Sequence, residues 1–310
     1  MAVAETVQAP RGRRPLSSAR LKRYLAGYLF ISPGILGFVI FTAYPMLFSA
    51  VVSFTKYNLL SPPSFIGAAN YDRMINDKLF YTALYNTAYY TFIGVPLQIA
   101  LALLLALALN QKLRGINIFR TLFYLPTVTP AVASVILFMY MYNPDYGFFN
   151  YVINLFNGPR IDWLGDPSWV KPAFIIMSFW GVGGQMVIFL AGLQSVPLTL
   201  QEAASIDGAG VIRRFWHVTV PMITPVIFFN LVLGIIGSFQ VFTVAFIATG
   251  GGPINSTLFY VLWLYQHAFE FLRMGYASTL GWVLLAIVMF FTAINFLVGR
   301  SWVYYEGATN

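Results

Sequence analysis

Six long apolar runs alternate with more polar connectors along this chain. They cover Leu25–Phe54, Leu84–Leu109, Thr121–Tyr142, Pro172–Leu193, Met222–Ala248 and Tyr276–Val298, and none holds Asp, Glu, Lys or Arg. A membrane-spanning helix needs about 20 consecutive apolar residues, so each run is long enough to cross a bilayer. The apolar positions are continuous and do not alternate with polar ones, which excludes the strands of a membrane barrel. The pattern predicts an all-α membrane protein of six transmembrane helices with both termini on one side. A seventh apolar stretch, Leu258–Leu272, is too short to span and holds His267 and Glu270. It is expected to be a re-entrant or interfacial helix. The first run follows a long basic stretch and exceeds a secretory signal core of about 7–15 residues, so it reads as a retained span.

Composition agrees with this pattern. Hydrophobic residues make up 59% of the 310 and charged residues 9%, against roughly 25% charged in a soluble domain. Charge then sets orientation, because Lys and Arg concentrate in cytoplasmic segments. Arg11, Arg13, Arg14, Arg20, Lys22 and Arg23 precede the first span. Lys112, Arg114 and Arg120 follow the second, Arg213 and Arg214 the fourth, and Arg300 the sixth. The whole net charge of +8 falls on this side, while acids and bases balance on the other. The expected organisation is a basic, partly disordered cytoplasmic tail at 1–24, a membrane domain at 25–298 with a cytoplasmic loop at 196–222, and a cytoplasmic tail at 299–310. The basic character is thereby a matter of topology, and no nucleic-acid motif is present. The long outer loops Thr55–Ala83 and Asn143–Lys171 carry Tyr142, Tyr146, Trp163 and Trp169, residue types that favour the membrane interface.

Several chemistries are missing. Cysteine is absent, so there is no thiolate metal site or thiol nucleophile. A phosphate-binding loop needs lysine directly after glycine, and none of Lys22, Lys56, Lys78, Lys112 or Lys171 follows one. ATP is therefore not expected to bind here in that way, and no catalytic or metal-binding set is expected. The two histidines, His217 and His267, lie fifty residues apart on opposite expected faces. Spans without carboxylates offer no proton or sodium relay, which disfavours an ion-coupled carrier.

The connector between the fourth and fifth spans is the most informative segment. Pro197 and Thr199 can open a helix, which Glu202, Ala203 and Ala204 would continue. Asp207-Gly208 is a turn signal. A second short helix is expected next, and Pro221 begins the return to the membrane. Two alanines beside one glutamate form a slim ridge that can enter a cleft in another protein.

Glu202, Ala203, Ala204, Gly208 and Pro221 stand at the spacings of the EAA loop, and the segment resembles that loop of ABC importer permeases. Val218 and Val220 replace its usual Ile and Leu. Other phrases in order, among them Ile31-Ser-Pro-Gly34, Phe119-Arg-Thr-Leu-Phe-Tyr-Leu-Pro126, Thr249-Gly-Gly-Gly-Pro253 and Met274-Gly-Tyr-Ala277, extend the resemblance to the maltose and glycerol-phosphate branch of sugar-importer permeases, in its compact six-span form. The resemblance implies the cytoplasmic membrane of a bacterium or archaeon, a second permease subunit, two ATPase subunits that hold ATP and Mg, and an extracytoplasmic sugar-binding protein. It implies that Glu202, Ala203, Ala204, Asp207 and Gly208 couple to the ATPase, with Asp207 capping the second helix. It places Gly251, Gly252 and Pro253 at binding-protein docking. The substrate pathway would draw on Trp180, Gly184 and Gln185 of the fourth span and on Gly234, Gly237, Ser238 and Gln240 of the fifth. Small residues also let membrane helices approach one another, so packing is the competing explanation for each glycine. Spans without Lys or Arg favour a neutral sugar or oligosaccharide over glycerol 3-phosphate. A non-transporting scaffold would not need the EAA loop.

Overall fold

The computed structural model describes residues 18–111 and 113–304. Most of the expected disordered tail lies outside these residues. The described part, from Ser18, is already helical. The chain divides into two compact units, Met1–Val51 and Val52–Asn310.

The first unit is built from α1 (Ser18–Phe38), a π-helical turn at Val39–Ala43, and α2 (Tyr44–Val52), whose last residue opens the second unit. Tyr24–Val52 forms one unbroken apolar helix long enough to span a membrane.

The second unit opens with a two-stranded hairpin, β1 (Thr55–Lys56) and β2 (Ser64–Phe65), antiparallel with Thr55 opposite Phe65. Then come α3 (Ala69–Ile75), α4 (Lys78–Leu109), α5 (Ile116–Val128), α6 (Ala131–Met141) and α7 (Phe148–Leu155). Next are α8 (Val170–Ser178), α9 (Gly183–Ser195), α10 (Leu198–Ile206) and α11 (Val211–Arg214). The unit ends with α12 (Val220–Phe239), α13 (Thr243–Ala248), α14 (Tyr260–Tyr265) and α15 (Met274–Trp302). Its candidate spanning segments are Lys78–Leu109, Val211–Ala248, which has a short break between α12 and α13, and Met274–Trp302. The third and fourth apolar runs are bent. α5 and α6 meet at 100°, and Val170–Gly181 meets α9 at 53°. The described residues therefore hold four straight candidate spans, or six if each bent pair is one. Pro130 causes the sharper break: a proline has no N–H to donate, and Thr129 before it is extended, with ψ near 135°.

Loops and ends depart from expectation in physical detail. α11 continues through a π-helical turn at Phe215–Thr219 into α12, so the second helix of the loop is the start of the fifth span. Pro221 does not interrupt it: it stands directly after the π-helical turn, where the backbone pairing is already irregular. The last helix runs to Trp302, past Val298. Leu258–Leu272 forms α14 and a π-helical turn at Gln266–Glu270, too short to span. Tyr142 and Trp163 do not sit at an interfacial belt. They are buried, with the Tyr142 hydroxyl donating to the Ala173 carbonyl and the Trp163 indole to Asn150.

α4 is the axis of the second unit, packed against α8, α9, α12 and α14, while α15 packs on α12. Two apolar clusters meet along it. One contains Phe80, Ala83, Tyr90, Phe174 and Tyr260, and the other Val95, Ile99, Met186, Phe189 and Phe239. Neutral polar side chains join the elements. Asn86 donates to the carbonyls of Asn255 and Leu258, Thr87 accepts from the Tyr260 N–H, and the Tyr260 hydroxyl donates to Leu280. These bonds hold the short α14 segment against two spans, and burying amides and hydroxyls this way leaves no charge to desolvate.

Candidate functional site

Tyr90 belongs to the first apolar cluster and Val95 to the second, and the packing opens between them. A cavity of about 340 Å³ lies there, lined from α4 by Tyr90 and Gln98, from α8 by Ser178, from α9 by Gln185 and Ile188, and from α12 by Asn230, Leu233, Gly234, Gly237 and Ser238. Val241 completes the wall, which contains no Asp, Glu, Lys or Arg. The Gln98 amide donates to the Ser178 hydroxyl at 2.8 Å. Ser238 donates to Thr91 at 2.9 Å, and Asn230 donates to the Val226 carbonyl of its own helix. The Gln185 Oε1 atom is buried without a hydrogen-bond partner. Such an acceptor costs about 1–3 kcal/mol, so this wall is poised for a donor such as a hydroxyl.

The expected pathway residues divide. Gln185, Gly234, Gly237 and Ser238 come together in the cavity. Trp180, Gly184 and Gln240 are not among its lining residues. The Trp180 ring packs edge-on against Phe138 at 5.9 Å, a Cβ on Gly184 would touch Thr127 of α5, and Gln240 is exposed at the end of α12. Glycines alike in sequence also separate. A Cβ on Gly183 would overlap the Phe123 carbonyl, and one on Gly234 would press on Val95, whereas one on Gly237 would meet nothing within 4 Å. The first two are close-approach positions, and the third faces open space. Tyr90, Gln98 and Ser178 were not among the expected residues. Gln98, an amide deep inside a long apolar run, was the available signal, since intramembrane polar groups mark pathways or partners.

The loop of Glu202 is exposed, with no buried residue in α10. α10 ends in a Schellman arrangement: the Ala209 N–H donates to the Ala204 carbonyl and the Gly208 N–H to Ser205, with Gly208 at φ +80°. That is the geometry of a glycine-capped helix end. Asp207 does not cap the second helix. The N-cap of α11 is Gly210, and Asp207 stands three residues earlier as the C-cap of α10. Glu202, Ala203, Asp207 and Gly208 are exposed, and Ala204 is half-buried.

Gly251, Gly252 and Pro253 lie in a loop knotted by its own hydrogen bonds. Thr257 donates through its backbone to Gly251 and through its hydroxyl to Gly252. Gly251 is buried against Leu258 and Leu262, and the exposed tip is Ile254 and Asn255.

Residues 98–306 match the family described as "Binding-protein-dependent transport system inner membrane component". The chain belongs to this family. The "Probable ABC transporter permease protein YesP" of Bacillus subtilis (strain 168) is 43% identical over 92% of this chain and 94% of its own length. The lactose transport system permease protein LacF of Rhizobium radiobacter is 38% identical, covering 92% and 98%. A chain of a bacterial ABC transporter that imports the acidic polysaccharide alginate superposes with a TM-score of 0.78 over 91% of this chain and 98% of that one, at 22% identity. The protein is thus an inner-membrane component of binding-protein-dependent transport systems, with the fold of an ABC importer permease.

Proposed function

We propose that this chain forms one half of the translocation pathway of an ATP-driven importer for a neutral sugar or oligosaccharide. The carrying observation is the cavity between α4, α8, α9 and α12, walled by amides and hydroxyls without a formal charge. A charged solute moved into such a wall would lose its hydration without a countercharge, which is expensive. Saccharide hydroxyls both donate and accept, and they match Gln98, Ser178, Gln185 and Ser238. The similarity to LacF supports the sugar class. The absence of a cation from this wall disfavours glycerol 3-phosphate.

The other half of the pathway would come from a second permease subunit, and the solute from an extracytoplasmic binding protein that meets the loop of Gly251, Gly252 and Pro253. Two ATPase subunits would hold ATP and Mg, and this chain would not be an enzyme by itself. The Glu202 carboxylate would pair with a basic group of an ATPase, with Ala203 and Ala204 entering its groove and Asp207 and Gly208 closing the contact. The basic loops would face the cytoplasm. The test is ATPase activity of the reconstituted complex with its binding protein. Neutral oligosaccharides are expected to stimulate it, and uronic-acid or phosphorylated analogues are not. Stimulation chiefly by an anionic solute, with no cation in the partner permease's cavity, would overturn the reading.

A further inference from the structure

A basic cleft at the opposite end of α4 from the Glu202 loop plays no part in the pathway. About 420 Å³ in volume, it lies between the β1–β2 hairpin and the start of α15, and its wall carries Lys56, Arg73 and Arg273 and no carboxylate. The Arg73 guanidinium lies 4.8 Å from the centre of the Tyr276 ring, and that of Arg273 5.7 Å from the centre of Phe271. Neither arginine is in an ion pair among the described residues, where Arg160–Asp145 is the one such pair. An adjoining cavity holds both arginines together with Asp72 and Asp77, and Asp77 already accepts two hydrogen bonds. One of its oxygens accepts from the Leu79 N–H and the other from the Tyr276 hydroxyl. His267, buried behind the same arginines, has its pKa pushed down to about 4 by burial and then by Arg73 and Arg273, against the pull of Asp77. Within the cleft itself the three cations face no carboxylate.

We propose that the cleft of Lys56, Arg73 and Arg273 binds the phosphate of an anionic phospholipid headgroup. Depth favours a lipid over other anions. Arg273 immediately precedes the 29-residue apolar helix α15, and Arg73 lies just before the 32-residue α4, so both sit where the spans leave the hydrocarbon. Guanidinium groups bind phosphate bidentately, and a headgroup phosphate lies at the depth where these two arginines stand. The rim supplies the second half of the argument. Leu60, Phe271 and Leu272 line the same cleft and are 82%, 46% and 37% exposed, apolar surface that the glycerol and upper acyl chains of a lipid would cover. A docking protein would have to bring a carboxylate and a fitted apolar surface together, whereas one lipid carries phosphate and chain in that order. The inference is independent of the solute carried.

Native mass spectrometry of the full-length chain, titrated with phosphatidylglycerol, tests it. The Arg73→Gln/Arg273→Gln variant is expected to retain the lipid about 30-fold more weakly. Arg160→Gln should retain it normally, and Arg73→Lys/Arg273→Lys should fall between. A second readout does not depend on retention. The chain has two histidines, so labelled imidazole resonances are assignable in nanodiscs. Phosphatidylglycerol in place of phosphatidylcholine should raise the pKa of His267 more than that of His217, and the double Gln variant should abolish the excess. Equal retention by wild type and the double Gln variant would overturn the proposal. So would displacement of the lipid by an equal concentration of inorganic phosphate, which would mark a free-anion site. Loss of binding-protein docking in the variant with lipid retention unchanged would assign the cleft to a protein partner instead.

Discussion

Gln185 is hard to account for by packing, because its Oε1 atom is buried and unpartnered while apolar residues of similar size would fill the same space. Gln185→Met removes that acceptor and keeps the volume. The expected outcome is an unfolding midpoint equal to or above wild type without solute, together with weakened sugar-stimulated ATPase activity, since an unsatisfied buried group costs about 1–3 kcal/mol. A destabilised variant with normal stimulation would show that the amide serves the fold. The glycines of α12 give a paired test. Gly237→Leu extends into open space, and Gly234→Leu collides with Val95. The first should fold normally and block uptake, and the second should lose about 1–3 kcal/mol of stability through overpacking. The reverse pattern in thermal melts and uptake would move the pathway elsewhere. Gln185, Ser238 and the glycines were legible in the sequence as small or polar residues in apolar runs. Which of them face the cavity was not, because that depends on the rotation of α12 against α4. Gln98 and Ser178 escaped notice because one amide and one hydroxyl in apolar stretches look the same whether they bind a solute or each other.

At the scale of elements, the loop between the fourth and fifth spans was the part most fully written in the sequence. Asp207-Gly208 reads as a turn, and the structure puts Gly208 at φ +80° as the cap of α10. A side chain in this left-handed region costs about 1–2 kcal/mol, less for asparagine and more for β-branched residues. Binding of the ATPase should therefore weaken in the order Gly208→Asn, Gly208→Ala, Gly208→Val, as read by co-purification. Equal recovery of all three would show that the turn is not needed in this form. Other features were less legible. Pro130 marks the 100° bend between α5 and α6, but it lies inside an uninterrupted apolar run, and hydropathy carries length without direction. Arg120 reads as one more cytoplasmic cation. Its guanidinium in fact donates to the Leu109 carbonyl at the end of α4, satisfying a helix terminus and meeting the negative end of its dipole. Only the return of α5 towards α4 brings the two together.

For the whole molecule, the open question is whether each bent pair crosses the membrane, and charge and backbone chemistry give the same answer. If the α5–α6 and α8–α9 pairs both turned back, the loop 142–169 would share a side with Arg114, Arg120, Arg213 and Arg214. That loop is instead acid-rich, with Asp145, Asp162 and Asp166 against Arg160, whereas short cytoplasmic connectors carry an excess of Lys and Arg. The break at Thr129–Pro130 is compatible with crossing, because irregular backbone survives at membrane depth where protein or a cavity surrounds it. Six crossings are therefore expected, with the Ser61 and Ser168 loops on one face and the Ser205 loop on the other. The chain has no cysteine, so Ser61→Cys, Ser168→Cys and Ser205→Cys can be introduced singly into an unmodified background, each at an exposed position. In intact cells an impermeant maleimide is expected to label positions 61 and 168, and to reach position 205 only after permeabilisation. Labelling at 61 but not at 168 before permeabilisation would reduce the count to four spans and make both bent pairs re-entrant. The cavity wall supplied by Ser178 and Gln185 would then belong to hairpins dipping from the cytoplasmic face, and the pathway would have to reach the outer surface between α4, α12 and a neighbouring chain.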